Sequence, residues 1–176
     1  QWLWAGRNRG SSSGGEKIID QYGADTARLF ILSTVPVDKD LDWSDEGIKG
    51  CYRFLNRIWN LPNLSFNESD IDDKQTYIEL HKMIKSVTDN IENFKFHNAI
   101  SNIMEFINYF SDIKNMSSKM KQNCLSTIIN LLYPFVPFII SEMSEKLSIN
   151  LDKWPVYDKS IENNNSFNVV VQVNGK

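Results

Sequence analysis

Three stretches of this sequence, 74–94, 97–113 and 120–133, repeat apolar residues at the 3.6-residue period of a helix, and short polar turns separate them. In the first, Leu80, Met83, Ile84, Val87 and Ile91 fall on one face. An isolated helix gains most of its stability by burying such a face, and helices joined by tight turns do so by folding back on one another. The pattern therefore predicts an all-α fold, an antiparallel helical bundle. With 176 residues, 41% of them hydrophobic, the chain has enough apolar surface for a sizeable core.

The flanking segments extend this plan. "EKIIDQYG" predicts a short helix over 16–22, with Ile18, Ile19 and Tyr22 on one stripe and Gly23 ending it. "ADTARLFILST" predicts a second helix over 24–34, apolar almost all round and so largely buried, closed by Pro36. Ser44 is placed to cap a helix over 45–60, with Asp45 and Glu46 at the positive end of its dipole. A loop around Pro62 leads to the three periodic stretches, and a last helix over 135–147 is entered through Pro134 and Pro137. "VVVQVNGK" is β-branched enough to predict a short C-terminal strand whose partners lie outside this chain. Residues 1–15, with a Gly/Ser run and no period, read as a linker or tag remnant, a native strand at Trp2–Trp4 being the alternative.

Composition narrows the function classes. A net charge of −3 gives no bulk attraction to a polyanion, so contact with nucleic acid would need a local basic face. Cys51, Cys124 and two histidines have no ligand spacing, and no metal site is expected. Sequons at Asn63, Asn67, Asn115 and Asn164 lack a preceding signal peptide and read as accidental in a chain rich in Asn and Ser. The longest apolar run, "LLYPFVPFII", is broken by Pro134 and Pro137 and too short for a bilayer, so a cytoplasmic protein without membrane contact is expected.

The stretches "YGADTARLFIL", "DLDWSDEGIKGCYRFLNRIWNL", "HKMIKSVTDNIENFKFHNAISNIMEFIN", "LYPFVPFIISEM", "WPVYD" and "VVVQVNGK", in this order, resemble the part of bacterial-type leucyl-tRNA synthetases that follows the catalytic domain. "YGADTARLF" alone is shared with isoleucyl, valyl and methionyl class Ia enzymes, which remain the alternative; the second and last stretches point to the leucyl family. The resemblance implies a stem-contact segment over 16–60, an anticodon-binding bundle over 61–158, and over 159–176 a linker and the first strand of a truncated C-terminal domain. It implies leucine tRNA as partner, with no DNA, alongside the catalytic and C-terminal domains of the same chain. Leucine activation with ATP and Mg would take place on a catalytic domain that is not in this sequence, and no cofactor is expected in the fragment itself. The family's Lys-Met-Ser-Lys-Ser loop should precede "YGAD"; this chain reads "AGRNRGSSSGG" there, with no lysine, so it is expected to be inactive alone.

Arg53 and Arg57, at i and i+4 with Asn56 and Lys49 near the same face, are the candidate tRNA-binding residues, because paired guanidinium forks suit phosphates. Read on pattern alone, the same residues fit a solvated face paired with Asp45 or Glu46; the resemblance tilts the balance to RNA. Arg28, in an apolar helix, is expected to pair with Asp25 or Asp42, and Trp43 and Trp59 to lie in the core. Lys82, Lys85, Lys95, Lys119 and Lys121 could form a diffuse backbone-binding face, and His81 and His97 have no catalytic partners. A helical interaction module with no RNA role would fit the periodicity equally well.

Overall fold

The structure, a computed structural model, describes residues 13–36, 38–68 and 71–164, with side chains from Ile18 to Ile161. Seven α-helices run in the described chain: α1 (Ser13–Tyr22), α2 (Ala24–Thr34), α3 (Asp45–Asn60), α4 (Asp73–Glu92), α5 (Phe96–Asp112), α6 (Ser118–Leu132) and α7 (Pro137–Leu147). Among the described residues there is no strand, only an isolated bridge between Asn67 and Asn115. The architecture is the all-α bundle that the periodicity predicts. "VVVQVNGK" and Trp2–Trp4 lie outside the described residues.

Helix α4 packs on α5 and α6, and α6 on α7; α2 lies across the bundle, touching α1, α3, α5 and α7. One continuous core runs from Leu29 and Phe30 through Leu80, Val87, Ile100, Ile107 and Ile128 to Ile140, each no more than 1% exposed. The expected inner face of α4 is confirmed: Leu80, Met83, Ile84 and Val87 are buried, with Ile91 packed partly against them.

The helix ends differ from expectation by a few residues, each at an identifiable place. Helix α1 takes in Ser13–Gly15, three residues assigned above to a linker, and ends at Gly23, whose φ of 85° suits a residue with no Cβ. Helix α4 stops at Glu92, two residues early, because Phe94 turns into the left-handed region at φ 56° and redirects the chain into α5. Helix α7 starts at Pro137 rather than 135. A proline disfavours helical geometry in the residue before it, and Val136 is held near φ −135° with Pro137 at the first helical position. Helix α2 is less buried than its composition suggests, since Ile31 is on its outer side, 41% exposed.

Long-range polar contacts fasten these ends. The Asp25 carboxylate, buried in the first turn of α2, accepts from the backbone N–H groups of Phe138 and Ile139 at 3.4 and 2.7 Å and so caps α7. Arg28, one turn later, pairs with neither Asp25 nor Asp42. It donates to the carbonyls of Pro134 and Phe135 at 3.0 and 3.2 Å, where α6 ends and its partial negative charge lies. The sequence expectation for Arg28 is thus corrected: the partner is a helix terminus, not a carboxylate. One motif, "ADTAR", in this way ties α2 to both sides of the α6–α7 turn.

Candidate nucleic-acid interface

Helix α3 begins as its sequence predicts, with the Ser44 hydroxyl accepting from the Gly47 N–H at 3.2 Å. Ile48, Cys51, Phe54, Leu55 and Ile58 form its buried stripe. At 3.6 residues per turn, Lys49, Arg53, Asn56 and Asn60 occupy the opposite, exposed stripe. Tyr52 and Trp59 flank the buried stripe on one edge, and Arg57 lies toward the other.

This arrangement separates the four candidate residues. Lys49 and Arg53 are exposed and make no hydrogen bond or ion pair with a described residue, neither to Asp45 nor to Glu46. Asn56 donates its amide to the Tyr52 carbonyl at 3.0 Å, leaving its side-chain oxygen without a donor among the described residues. Arg57 is engaged: its guanidinium donates to Asn108 Oδ1 at 2.5 Å, to the Ile107 carbonyl at 3.3 Å and to Ser111 Oγ at 3.2 Å. It clamps α3 to the last turns of α5. The outward cationic face therefore consists of Lys49 and Arg53, with Asn56 beside them, and the expected Arg53–Arg57 fork is divided between solvent and bundle.

The tryptophans differ from the core reading. Trp43 stacks on Phe30 at 5.3 Å, and Trp59 lies under the Lys146 ammonium at 4.1 Å, yet they remain 38% and 37% exposed. Trp59 lines a groove of about 470 Å³ with Tyr22, Tyr52, Leu55, Phe138 and Ile139. Of the polar groups in this groove, the Asp25 carboxylate is engaged by α7, the Thr26 hydroxyl by the Tyr22 carbonyl and the Asn56 amide nitrogen by the Tyr52 carbonyl, while the Asn56 oxygen and the Tyr22 and Tyr52 hydroxyls have no hydrogen-bond partner among the described residues.

The diffuse lysine face also breaks up. Lys121 donates to the carbonyls of Pro62 and Leu64 at 2.9 and 2.6 Å and holds the α3–α4 loop against α6. Lys82 pairs with Glu79 at 3.0 Å, and Lys85 lies 5.9 Å from the Tyr157 ring. Lys95 and Lys119 are exposed at the α5 and α6 N-termini. His81 has a structural part: its Nδ1 accepts from the Asp158 N–H at 3.0 Å, and burial pushes its basicity below that of a free histidine. Burial raises the Cys51 thiol, while burial and the nearby Asp73 carboxylate push Cys124 up to about 12, so neither is an activated thiol. Among the described residues no group of three metal-ligating side chains is assembled, and no helix is long and apolar enough to cross a membrane.

The chain belongs to the anticodon-binding domain family of tRNA ligases, whose family model matches residues 73–176, from the start of α4 onward. Curated relatives of the chain include leucine–tRNA ligases. Those of Prochlorococcus marinus and Fusobacterium nucleatum are each 38% identical over 92% of this chain, which spans 20% and 21% of their lengths. Among solved structures, the fold superposes with a TM-score of 0.67 on the LeuRS of Agrobacterium radiobacter in a ternary complex with tRNA and LeuAMS. That match is 25% identical and covers 83% of this chain and 21% of that one. The chain thus spans about a fifth of the relatives it matches. The resemblance to the leucyl family and its helical bundle holds.

Proposed function

We propose that this chain is the tRNA-positioning part of a leucine–tRNA ligase, and that the outer face of α3 meets the backbone of leucine tRNA. The observation that carries the reading is the pair of unpaired cations, Lys49 and Arg53, on one exposed stripe of a chain whose net charge is −3. A local face of this kind supplies the attraction that the molecule as a whole lacks. The relatives' names and the tRNA in the structural neighbour support it. Arg57 then serves the interface indirectly, by fixing α3 on α5. Asn56 can accept from a ribose hydroxyl through its oxygen.

Aminoacylation with ATP and Mg would be performed by the catalytic domain of a full-length ligase, acting in the cytoplasm. The groove of Tyr52, Trp59 and Phe138 suits contact with that domain rather than with RNA, because its lining is mainly apolar and its one carboxylate, Asp25, is already engaged by α7. The reading is tested by filter binding of leucine tRNA to the 176-residue chain and to its Lys49→Ala/Arg53→Ala variant over a range of salt. Saturable binding with a shallower salt dependence in the variant supports it; equal binding and equal salt dependence overturn it.

A further inference from the structure

A second groove, of about 390 Å³, lies between α4, α6 and the segment 149–158 that follows α7. None of its lining residues belongs to α1, α2, α3 or α7, so it is separate from the surface described above. Its walls are fixed. The Trp154 indole N–H donates to Thr88 Oγ1 at 2.9 Å, and a few residues on the Asp158 N–H donates to His81 at 3.0 Å while the Tyr77 hydroxyl donates to the Asp158 carboxylate at 3.2 Å. The strap is thereby pinned to α4 at two points. Trp154, 39% exposed, forms part of the lining.

The opposite wall offers hydrogen-bonding groups without intramolecular partners. Asn123, Ser126, Thr127 and Asn130 follow one another along α6 at helical spacing. The Asn130 amide nitrogen donates to the Ser126 carbonyl at 2.9 Å, leaving its Oδ1, while Asn123 and the Ser126 hydroxyl make no described contact. Lys153, exposed at the rim, has no described ion pair. Where the groove beside α3 is lined mainly by apolar side chains, this one presents a fixed aromatic ring, carboxamides that both donate and accept, and one cation.

We propose that this groove is a nucleobase-binding site. A planar heterocycle would stack on the Trp154 indole, its edge would exchange hydrogen bonds with Asn123, Ser126 and Asn130, and Lys153 would meet an attached phosphate. Carboxamides match the mixed donor and acceptor pattern of a base edge, which carboxylates or ammonium groups alone do not. The base could arrive on a free nucleotide or unpaired on an RNA strand; the recognition chemistry is the same. The assignment does not depend on tRNA binding by α3.

The test is nuclear magnetic resonance of the full 176-residue chain. The four ribonucleoside 5′-monophosphates are titrated to about 10 mM, a range that detects millimolar sites, and leucine tRNA is titrated in a second arm. The readouts are the Trp154 indole and the Asn123 and Asn130 side-chain amides. Saturable shifts at these groups in either arm, weakened about tenfold in Asn123→Ala/Ser126→Ala, are expected. The variant's melting temperature and the spectrum of its core methyl groups should match the parent. Shifts with monophosphates identify a free-nucleotide site; shifts with tRNA alone identify an RNA base. No groove shifts in either arm, or equal shifts in the variant, would overturn the proposal. If tRNA moves only Lys49 and Arg53, the α3 reading stands and this one fails; if monophosphates saturate the groove and tRNA binds nowhere, the reverse holds.

Discussion

Replacing Arg53 and Arg57 one at a time should separate the two jobs of α3. Arg57→Ala removes donors to Asn108, Ile107 and Ser111 across the α3–α5 contact. Charge-assisted bonds contribute more than neutral ones when buried, but this guanidinium is exposed, so each is discounted to about 0.5 kcal/mol, or about 1.5 kcal/mol together. For a domain of this size that lowers the melting temperature by about 3–6 °C. Arg57→Lys should recover little of it, because one ammonium cannot span three acceptors placed for a planar fork. Arg53→Ala breaks no contact with a described residue and should stay within about 0.5 kcal/mol of the parent. Its effect should fall on RNA instead: one lost phosphate contact reduces the slope of log affinity against log salt by about 0.9. Calorimetric melts and salt-dependent filter binding on the same preparations give both numbers. The reasoning is refuted if Arg57→Ala melts with the parent and flattens the salt slope as Arg53→Ala does, or if Arg53→Ala alone lowers the melt.

Asp25→Ala should destabilise by about 2 kcal/mol, or about 4–8 °C in the melt, by leaving two α7 N–H groups without their buried cap. Asp25→Asn, which keeps an acceptor and loses the charge, should fall between. Gly47→Ala places a Cβ 2.7 Å from Phe30 Cε2 and should cost about 1 kcal/mol or more through overpacking, despite the better helix propensity of alanine. Gly23→Ala meets no atom within 4 Å, so its cost of about 1 kcal/mol is conformational, set by φ 85°; denaturant melts of the two variants check both. For pH, His81 must be neutral at Nδ1 to accept from Asp158, and its folded basicity is lowered. Its contribution is therefore present above the free-histidine value of about 6.5 and lost as pH falls from there through the lowered folded value. His81→Gln, which does not titrate, should flatten the melting temperature between about pH 6.5 and 5 relative to the parent; an unchanged profile would rule out this origin.

What was legible in the sequence follows from how local each signal is. The helices of the bundle, the Ser44 cap and the Gly23 terminus depend on residues within a turn or two, and periodicity or side-chain chemistry reveals them. The partner of a cation is different. Arg28 could be matched in sequence only to nearby carboxylates, but its acceptors lie 106 and 107 positions away, at a helix end that becomes negative only when α6 is folded and docked. The groove between α4 and α6 could not be read at all, since Trp154 closes it from 66 positions beyond Thr88.

The two arginines of α3 show the same limit within a single element. Their i, i+4 spacing places them near one face, and from the sequence they are equivalent. A helix packed on one side has no uniform outer face, however. Successive i+4 steps rotate by about 40°, enough to carry a side chain from the solvent stripe to the rim of the buried one. Arg53 falls on the stripe with Lys49; Arg57 falls at the rim, where the end of α5 supplies a carboxamide, a carbonyl and a hydroxyl within 3.3 Å. The rotation leaves one charge facing solvent and turns the other into an internal brace. The position of the brace in turn fixes the direction in which Lys49 and Arg53 face. Binding by α3 should therefore weaken in Arg57→Ala only as far as the helix loosens, and lowering the temperature should restore it, whereas cooling should not restore the salt slope lost in Arg53→Ala.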